Sequence, residues 1–318
     1  MNAIETHALS KLYAPGVGLS PLTLSVEVGE VFGFIGPNGA GKTTTIRTLM
    51  GFLRPTAGSG RILGRDVWYE REAVHTRVGY LPGEVHLSRD DSARDLMRRS
   101  CQLRGGASDA YGLEVARRLE LRLDAPLGTL SKGNRQKIGL TLALMHRPEL
   151  LILDEPTDGL DPLAQETVLD LLREAAHEGR TVFLSSHVLS EIERVAGRVG
   201  LIRRGKLIRL EEVRALRASL PQQVAVRFAR PPSVNLAALS GMVGGGMTGD
   251  GMAGGVAGGL DFRGLWRGGP DALIHALAGE SLLALSLTPS SLEDAFLEEY
   301  RTAGETSAAP LREAEDVA

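Results

Sequence analysis

One stretch decides the fold of this chain: Gly36-Pro37-Asn38-Gly39-Ala40-Gly41-Lys42-Thr43-Thr44. It fits G-x-x-x-x-G-K-[ST], the pattern of a phosphate-binding loop, in which glycines let consecutive backbone N–H groups turn towards anionic oxygens. The apolar run before it, residues 31–35, is typical of a buried strand, and residues 43–53 after it are typical of a helix. The positive end of that helix would add to the attraction. Lys42 can reach terminal phosphates and the Thr43 hydroxyl can ligate Mg²⁺, so this stretch predicts a nucleotide site.

The bulk composition is that of an ordinary globular protein. Of the 318 residues, 43 % are hydrophobic and 24 % are charged, and the formal net charge is −3. Such a balance gives no basic footprint for nucleic acid, and the single cysteine, Cys101, excludes an internal disulfide. No apolar run is long enough for a transmembrane helix, and the amino-terminal residues lack the basic and apolar regions of a secretion signal. We therefore expect a protein that is kept in the cytoplasm.

Strands alternate with helices along most of the chain, which predicts an α/β fold with a mainly parallel sheet covered on both faces. A helical block, residues 92–145, interrupts this alternation. After about residue 220 the composition shifts, and ten glycines between Gly241 and Gly259 predict a flexible loop with at most a weak strand. Order returns with a helix at 270–278, a strand at 282–287 and a helix at 291–300, and we expect the acidic tail at 302–318 to be disordered.

Two further segments carry chemistry. A short apolar strand at 150–153 ends in Asp154 and Glu155, which places both carboxylates at the carboxyl edge of the sheet, where ligands bind in open α/β folds. There Asp154 can hold Mg²⁺ and Glu155 can accept a proton from an attacking water molecule. Upstream, Ser131-Lys132-Gly133-Asn134 opens a helix, and the residues alone leave two interpretations open: Ser131 as a helix cap, or a second set of N–H donors for phosphate.

The order of these segments resembles that of the ATP-binding cassette (ABC) ATPases. The resemblance rests on the phosphate loop, then Leu130-Ser131-Lys132-Gly133-Asn134, then the strand that ends in Asp154-Glu155. It continues through Gly159-Leu160-Asp161-Pro162, which is similar to the D-loop of the family, and Ser185-Ser186-His187, which is similar to its switch histidine. Tyr13 matches the aromatic residue that stacks on adenine in these proteins.

The resemblance implies the P-loop NTPase fold of the ABC ATPases, with a RecA-like core, an antiparallel β subdomain and a helical subdomain. We expect the ATP-binding domain at 1–220, its helical subdomain at about 84–145, and a small α/β accessory domain at 221–301. The resemblance also implies a head-to-tail homodimer with ATP between the subunits and Mg²⁺ as the second cofactor.

The expected site residues follow from the same resemblance. Glu155 and His187 would be catalytic, and Thr43 and Asp154 would hold the metal ion. The expected nucleotide-binding residues are Tyr13, Gly36, Pro37, Asn38, Gly39, Ala40, Gly41, Lys42, Thr43 and Thr44 in one subunit, with Ser131, Gly133, Asn134 and Asp161 contributed by the other.

Two departures from the family pattern stand out. The usual Leu-Ser-Gly-Gly-Gln is Leu-Ser-Lys-Gly-Asn here, so Lys132 adds a cation without an assigned role. In Tyr80-Leu81-Pro82-Gly83-Glu84, Gly83 falls where the family usually has glutamine, so that either Glu84 or a water molecule would take its place near Mg²⁺.

Motif wording favours the drug- and antibiotic-export branch. The segments Gly79–Glu84, Ser131–Lys137 and Pro289–Phe296 look like those of this branch, in which the ATPase pairs with an integral-membrane permease made as another chain. We thus expect an ATP-hydrolysing subunit that powers export, peripheral on the inner face of the cell membrane, with no nucleic-acid partner. The alternative is a non-transport ABC ATPase that acts on nucleic acid or the ribosome.

Overall fold

The computed structural model describes residues 1–106, 108–219, 221–249 and 260–289. They form two compact units, Met1–Val213 and a second that begins at Arg214, a few residues before the expected boundary at 220. The expected helix at 291–300 and the acidic tail at 302–318 lie outside the described residues.

The strands are, in chain order, β1 (Asn2–Ala14), β2 (Val17–Glu27), β3 (Val31–Ile35), β4 (Ala57–Ile62), β5 (Arg65–Asp66), β6 (Val78–Leu81), β7 (Leu150–Asp154), β8 (Thr181–Ser186), β9 (Arg198–Arg203), β10 (Lys206–Glu212), β11 (Gln222–Phe228), β12 (Met242–Gly249), β13 (Leu260–Trp266) and β14 (Leu282–Pro289). The helices are α1 (Lys42–Leu49), α2 (Arg71–Arg77), α3 (Ala93–Leu103), α4 (Ala110–Arg118), α5 (Lys132–Leu144), α6 (Pro162–His177), α7 (Leu189–Val195), α8 (Val213–Ser219) and α9 (Pro270–Leu277). No helix of the described part of the chain is both long and apolar enough to cross a membrane.

A six-stranded sheet, in the order β10-β9-β3-β8-β7-β6, forms the centre of the first unit. All neighbours from β9 to β6 run parallel, and only β10 is antiparallel. The strands β3, β7 and β8 are buried along their whole length, as the apolar residues that dominate them predict. Because β3 and β7 both pair with β8, their carboxyl ends meet at one edge, with Ile35 beside Ser186 and Asp154 beside Ser185.

Two further layers complete the first unit. An antiparallel sheet, β2-β1-β4-β5, packs its apolar face into a shared core in which the Phe183 ring lies 5.6 Å from that of Phe32 and 5.5 Å from that of Phe34. The helical block holds α3, α4 and α5, and α3 begins at a capping box between Ser92 and Asp95. The expected α/β fold with an antiparallel β subdomain and a helical subdomain is confirmed.

The second unit is an antiparallel sheet, β12-β13-β11-β14, with the helix α9. Its core includes Phe228, Phe262, Trp266 and Leu273, all buried. Within 241–259, where the sequence predicts a flexible loop with at most a weak strand, residues 242–249 form the strand β12, and residues 250–259 lie outside the described part. Glycine is a poor strand former by itself, but β13 supplies hydrogen-bond partners along one side of β12, which is the end strand in this order.

Candidate nucleotide site

The phosphate loop connects the end of β3 to the start of α1. Gly39 and Gly41 have φ angles of +78° and +109°, a region that side chains with a Cβ rarely adopt. At Gly36 a Cβ would lie 2.4 Å from the carbonyl oxygen of Ile202. These three glycines are therefore required by the backbone itself, and the loop leaves the amino end of α1 open to an anion.

Lys42 lies at the first position of α1 and is nearly buried. Its Nζ donates to the carbonyl oxygens of Gly36, at 2.5 Å, and Pro37, at 3.3 Å. The same ammonium lies 3.0 Å from Oε1 of Glu155. The strand pairing described above thus brings together the two sequence motifs, which are more than a hundred residues apart.

A cavity of about 670 Å³ opens over this loop. Its lining contains most of the residues expected for one side of a nucleotide site: Tyr13, Pro37, Asn38, Gly39, Ala40, Gly41, Lys42, Thr43, Thr44, Asp154 and Glu155. Gly36 and His187, which are also expected there, are not among the lining residues. Tyr13 is 58 % exposed, and the Nζ of Lys11 lies 5.6 Å from the centre of its ring. An exposed aromatic face at the rim of a phosphate-binding cavity has the geometry to stack on a base.

Asp154 is fully buried at the end of β7. Its Oδ1 accepts a hydrogen bond of 2.6 Å from the Ser185 hydroxyl, whereas Oδ2 has no hydrogen-bond partner among the described residues. A Cβ built at Gly83 would lie 3.1 Å from that oxygen. A buried carboxylate oxygen without a partner is costly, so its position beside the cavity indicates a place for a cation.

Glu155 has a left-handed backbone, with φ +51°, at the turn after β7. Its N–H donates to the backbone oxygen of Ser185 at 3.2 Å and to the Ser185 hydroxyl at 3.1 Å. Its Oε2 lies 2.8 Å from Nδ1 of His187 and accepts a 3.3 Å bond from the His187 N–H. The carboxylate is thus held between Lys42 and His187, where it can take up or orient a proton.

Two residues in this cluster have no role in the sequence interpretation. Gln136 on α5 is buried, and its amide donates to the carbonyl oxygens of Glu155, at 2.9 Å, and Pro156, at 3.3 Å. Ser185 bridges the Asp154 carboxylate and the Glu155 backbone. Both residues lie within motifs that were noted in the sequence. Ser185 could have been identified from the sequence because it is a polar residue at the end of an apolar strand, where a buried side chain needs a hydrogen-bond partner.

Ser131, Gly133, Asn134 and Asp161 do not line this cavity. Ser131 caps α5 by accepting a 3.3 Å bond from the Asn134 N–H, and Asp161 caps α6 by accepting a 2.9 Å bond from the Ala164 N–H. That backbone hydrogen bond lowers the pKa of the Asp161 carboxyl.

Glu84 lines the cavity, but its carboxylate is 81 % exposed and its ion-pair partner is His86, at 3.8 Å. The structure therefore does not place the Glu84 carboxylate against Asp154. The room beside Oδ2 comes from the missing side chain of Gly83.

Comparisons with known proteins agree with this geometry. The family profile described as "ABC transporter" matches residues 19–158. The bacitracin transport ATP-binding protein BcrA of Bacillus licheniformis is 38 % identical over 213 residues, which cover 66 % of this chain and 69 % of that protein. The Nod factor export ATP-binding protein I of Paraburkholderia xenovorans (strain LB400) is 35 % identical over 257 residues, covering 75 % of this chain and 84 % of that protein.

Solved structures show the same likeness. An ATP-binding subunit of an ABC transporter superposes with a TM-score of 0.63 at 29 % identity, over 68 % of this chain and 92 % of that one. A dimeric ATP-binding cassette in a post-hydrolysis state with ADP and Pi has a TM-score of 0.61 at 22 % identity, over 66 % and 98 % of the two chains, and shares the fold.

Proposed function

Because this chain belongs to the ABC transporter family of ATP-binding proteins, in which ATP is bound and hydrolysed, we propose that it is the ATPase subunit of an exporter. The observation that carries the catalytic part is the Glu155 carboxylate, held 3.0 Å from Lys42 and 2.8 Å from His187 at the edge of the phosphate-loop cavity. The export part is supported by relatives named for bacitracin transport and Nod factor export. No observation of this kind favours the alternative of a nucleic-acid or ribosomal partner.

We assign to the site residues the roles that fit their positions around the cavity. The loop N–H groups and Lys42 bind the phosphates of ATP, and Tyr13 stacks on the base. Glu155 orients the attacking water and accepts its proton, while His187 keeps that carboxylate in place and contacts the terminal phosphate. Lys42 exchanges its carbonyl and Glu155 contacts for phosphate oxygens when the nucleotide binds.

The donor set fits Mg²⁺. Oδ2 of Asp154, which has no hydrogen-bond partner among the described residues, and the Thr43 hydroxyl would be hard oxygen ligands at the cavity wall. Mg²⁺ is usually bound by one or two carboxylates together with substrate phosphates and water, so the remaining ligands would come from ATP and solvent. When bound, Mg²⁺ neutralises charge that develops on the phosphate oxygens.

The proposed active form is a head-to-tail homodimer. Its support is that Ser131, Gly133 and Asn134 lie at the start of α5, the end of a helix that attracts anions, yet do not line the cavity of their own chain. In the dimer they would close the cavity of the partner, and Asp161 would lie at the seam. We further propose that the helical subdomain at 84–145 receives a separate membrane permease on the inner face of the cell membrane.

Replacing Glu155 by glutamine tests the catalytic proposal. Glu155→Gln keeps the shape but removes the proton acceptor, so we expect ATP turnover to fall by about 100-fold or more while ATP binding remains. An ATP-held dimer should then accumulate and be visible by gel filtration with ATP. The matched control is Glu72→Gln, an exposed residue of α2, which should behave as the wild type.

Normal hydrolysis by Glu155→Gln, or a variant that stays monomeric with ATP, would refute the dimer mechanism. The export proposal has its own test: the chain is purified from membranes and the polypeptide that comes with it is sequenced. A multi-spanning membrane protein supports export, and a ribosomal or nucleic-acid partner overturns it.

A further inference from the structure

We propose that Lys132, the cation that replaces a family glycine, is a positioning residue: it ties the turn 155–159, which contains Glu155, to the start of α5. This inference rests on the proposed catalytic role of Glu155. It gives a function to Lys132, which stands where the family motif has a glycine and to which the motif assigns no role.

The contact is direct. Lys132 Nζ lies 2.6 Å from Oδ2 of Asp158, in an ion pair whose side chains are 61 % and 39 % exposed. The aliphatic part of Lys132 passes closely over Gly159, where a Cβ would lie 3.3 Å from Lys132 Cδ. Gly159 has a φ of +74°, so the turn both requires a glycine and leaves room for the lysine stem.

Two other contacts join the same pair of segments. A Cβ at Gly133 would lie only 2.6 Å from the carbonyl oxygen of Gly159, so the two backbones are in close approach. One helical turn further on, Gln136 donates to the carbonyl oxygens of Glu155 and Pro156. The first two turns of α5 therefore hold the turn at its beginning through Gln136 and at its end through Lys132.

Movement of this turn would move the carboxylate. The Asp158 N–H donates to the Glu155 carbonyl oxygen at 3.2 Å, which closes the turn on the residue with the left-handed backbone. A left-handed conformation at a residue with a side chain persists only where the surroundings fix it. When Lys132 is lost, the contacts of α5 with the turn described above are reduced to those of Gln136 and Gly133, while the bonds of the Glu155 N–H to Ser185 remain. The Glu155 carboxylate then spends less time between Lys42 and His187.

A double-mutant cycle separates this role from direct contact with nucleotide. The variants are Lys132→Ala, Asp158→Asn and the two combined, with ATP turnover measured as kcat and KM. We expect each single change to lower kcat about threefold, the size typical of an exposed ion pair, with KM for ATP unchanged, and the double variant to equal either single one. Lys132→Arg should retain wild-type kcat, since it keeps the charge and the reach.

A second measurement does not depend on turnover. Hydrogen–deuterium exchange of a peptide that covers residues 155–160 reports the turn amides, and it should be faster in Lys132→Ala than in the wild type without nucleotide. The control is Arg117→Ala, which removes a similarly exposed ion pair, at 2.7 Å from Glu114 on α4, and should change neither exchange nor kcat.

Three results would overturn the inference. The first is unchanged hydrogen exchange in Lys132→Ala, and the second is that Lys132→Ala lowers kcat as much in the Asp158→Asn background as in the wild type. The third is a rise in KM for ATP. The last would indicate that Lys132 contacts the ATP of the partner subunit instead. Failure of the proposed function is recognised separately, because the wild-type chain would then not hydrolyse ATP in the same assay.

Discussion

Ser185→Ala removes one hydroxyl from the interior of the first unit and isolates a buried charge. Ser185 is fully buried, and its hydroxyl gives Oδ1 of Asp154 a 2.6 Å hydrogen bond. Because Oδ2 has no hydrogen-bond partner among the described residues, the variant would leave the Asp154 carboxylate without any bond of this kind from them. The Glu155 N–H loses its 3.1 Å bond to the hydroxyl but keeps the 3.2 Å bond to the Ser185 carbonyl oxygen.

The cost follows from these contacts. A hydrogen bond to a charged group contributes about 1.5–3 kcal/mol to stability. The Glu155 N–H keeps its bond to the Ser185 carbonyl oxygen, so losing its second bond, to the hydroxyl, adds little to this cost. The change from serine to alanine creates almost no cavity. We therefore expect the free energy of unfolding of the first unit to fall by about 2 kcal/mol.

Urea unfolding measures this loss if the signal comes from the first unit alone. A Trp266→Phe background leaves Trp68 as the tryptophan reporter, because the chain contains two tryptophans. Thr141→Val is the matched control: it removes a buried hydroxyl that donates 2.9 Å to the neutral Lys137 carbonyl oxygen, and should cost under about 1 kcal/mol.

The charge of Asp154 provides the decisive comparison. In an Asp154→Asn background the acceptor is neutral, so Ser185→Ala should cost about half as much. A loss below about 0.5 kcal/mol, or an equal loss in both backgrounds, would refute the account of a charge held by this serine.

Two further predictions concern Gly83 and His146. A Cβ at Gly83 would lie 3.1 Å from Oδ2 of Asp154, so Gly83→Ala should crowd the expected metal ligand and weaken Mg²⁺-dependent ATP affinity about fivefold, as measured by calorimetry with and without Mg²⁺; unchanged affinity would contradict this. Burial lowers the pKa of His146 to about 4, and the charge of Arg104 is a smaller cause. Below about pH 6.5 the unfolded chain therefore binds a proton at this histidine that the folded protein does not bind until about pH 4. Stability should thus fall by about 2 kcal/mol between pH 6.5 and 4, and His146→Gln should flatten this part of the pH profile in urea unfolding; an unchanged slope would show that other groups cause it.

The sequence predicts the parts of the site that depend on local pattern. The phosphate loop follows from glycine chemistry over nine residues, and the strand before Asp154 follows from an apolar run. The sequence also predicts that the phosphate loop and the Asp154-Glu155 motif meet at one sheet edge, because the carboxyl ends of parallel strands share an edge. Which atoms meet there does not: the 3.0 Å contact of Lys42 with Glu155 depends on the register of β3 and β7 against β8.

Long-range pairing explains the other differences. Gln136 supports Glu155 from the preceding helix, 19 residues earlier in the sequence, and no local pattern distinguishes it from a surface glutamine. Residues 242–249 read as a loop because glycine has low strand propensity, yet they are a strand because β13 supplies the hydrogen-bond partners.

The position of β3 in its sheet has a consequence for biosynthesis. Its two neighbours, β8 and β9, begin at Thr181 and Arg198, so the strand that leads into the phosphate loop is translated roughly 150 residues before either neighbour exists. At about 5–20 residues per second, the ribosome needs roughly eight to thirty seconds to supply them. During that interval the nascent chain carries an apolar strand with two unpaired edges, and it cannot hold ATP in a finished site.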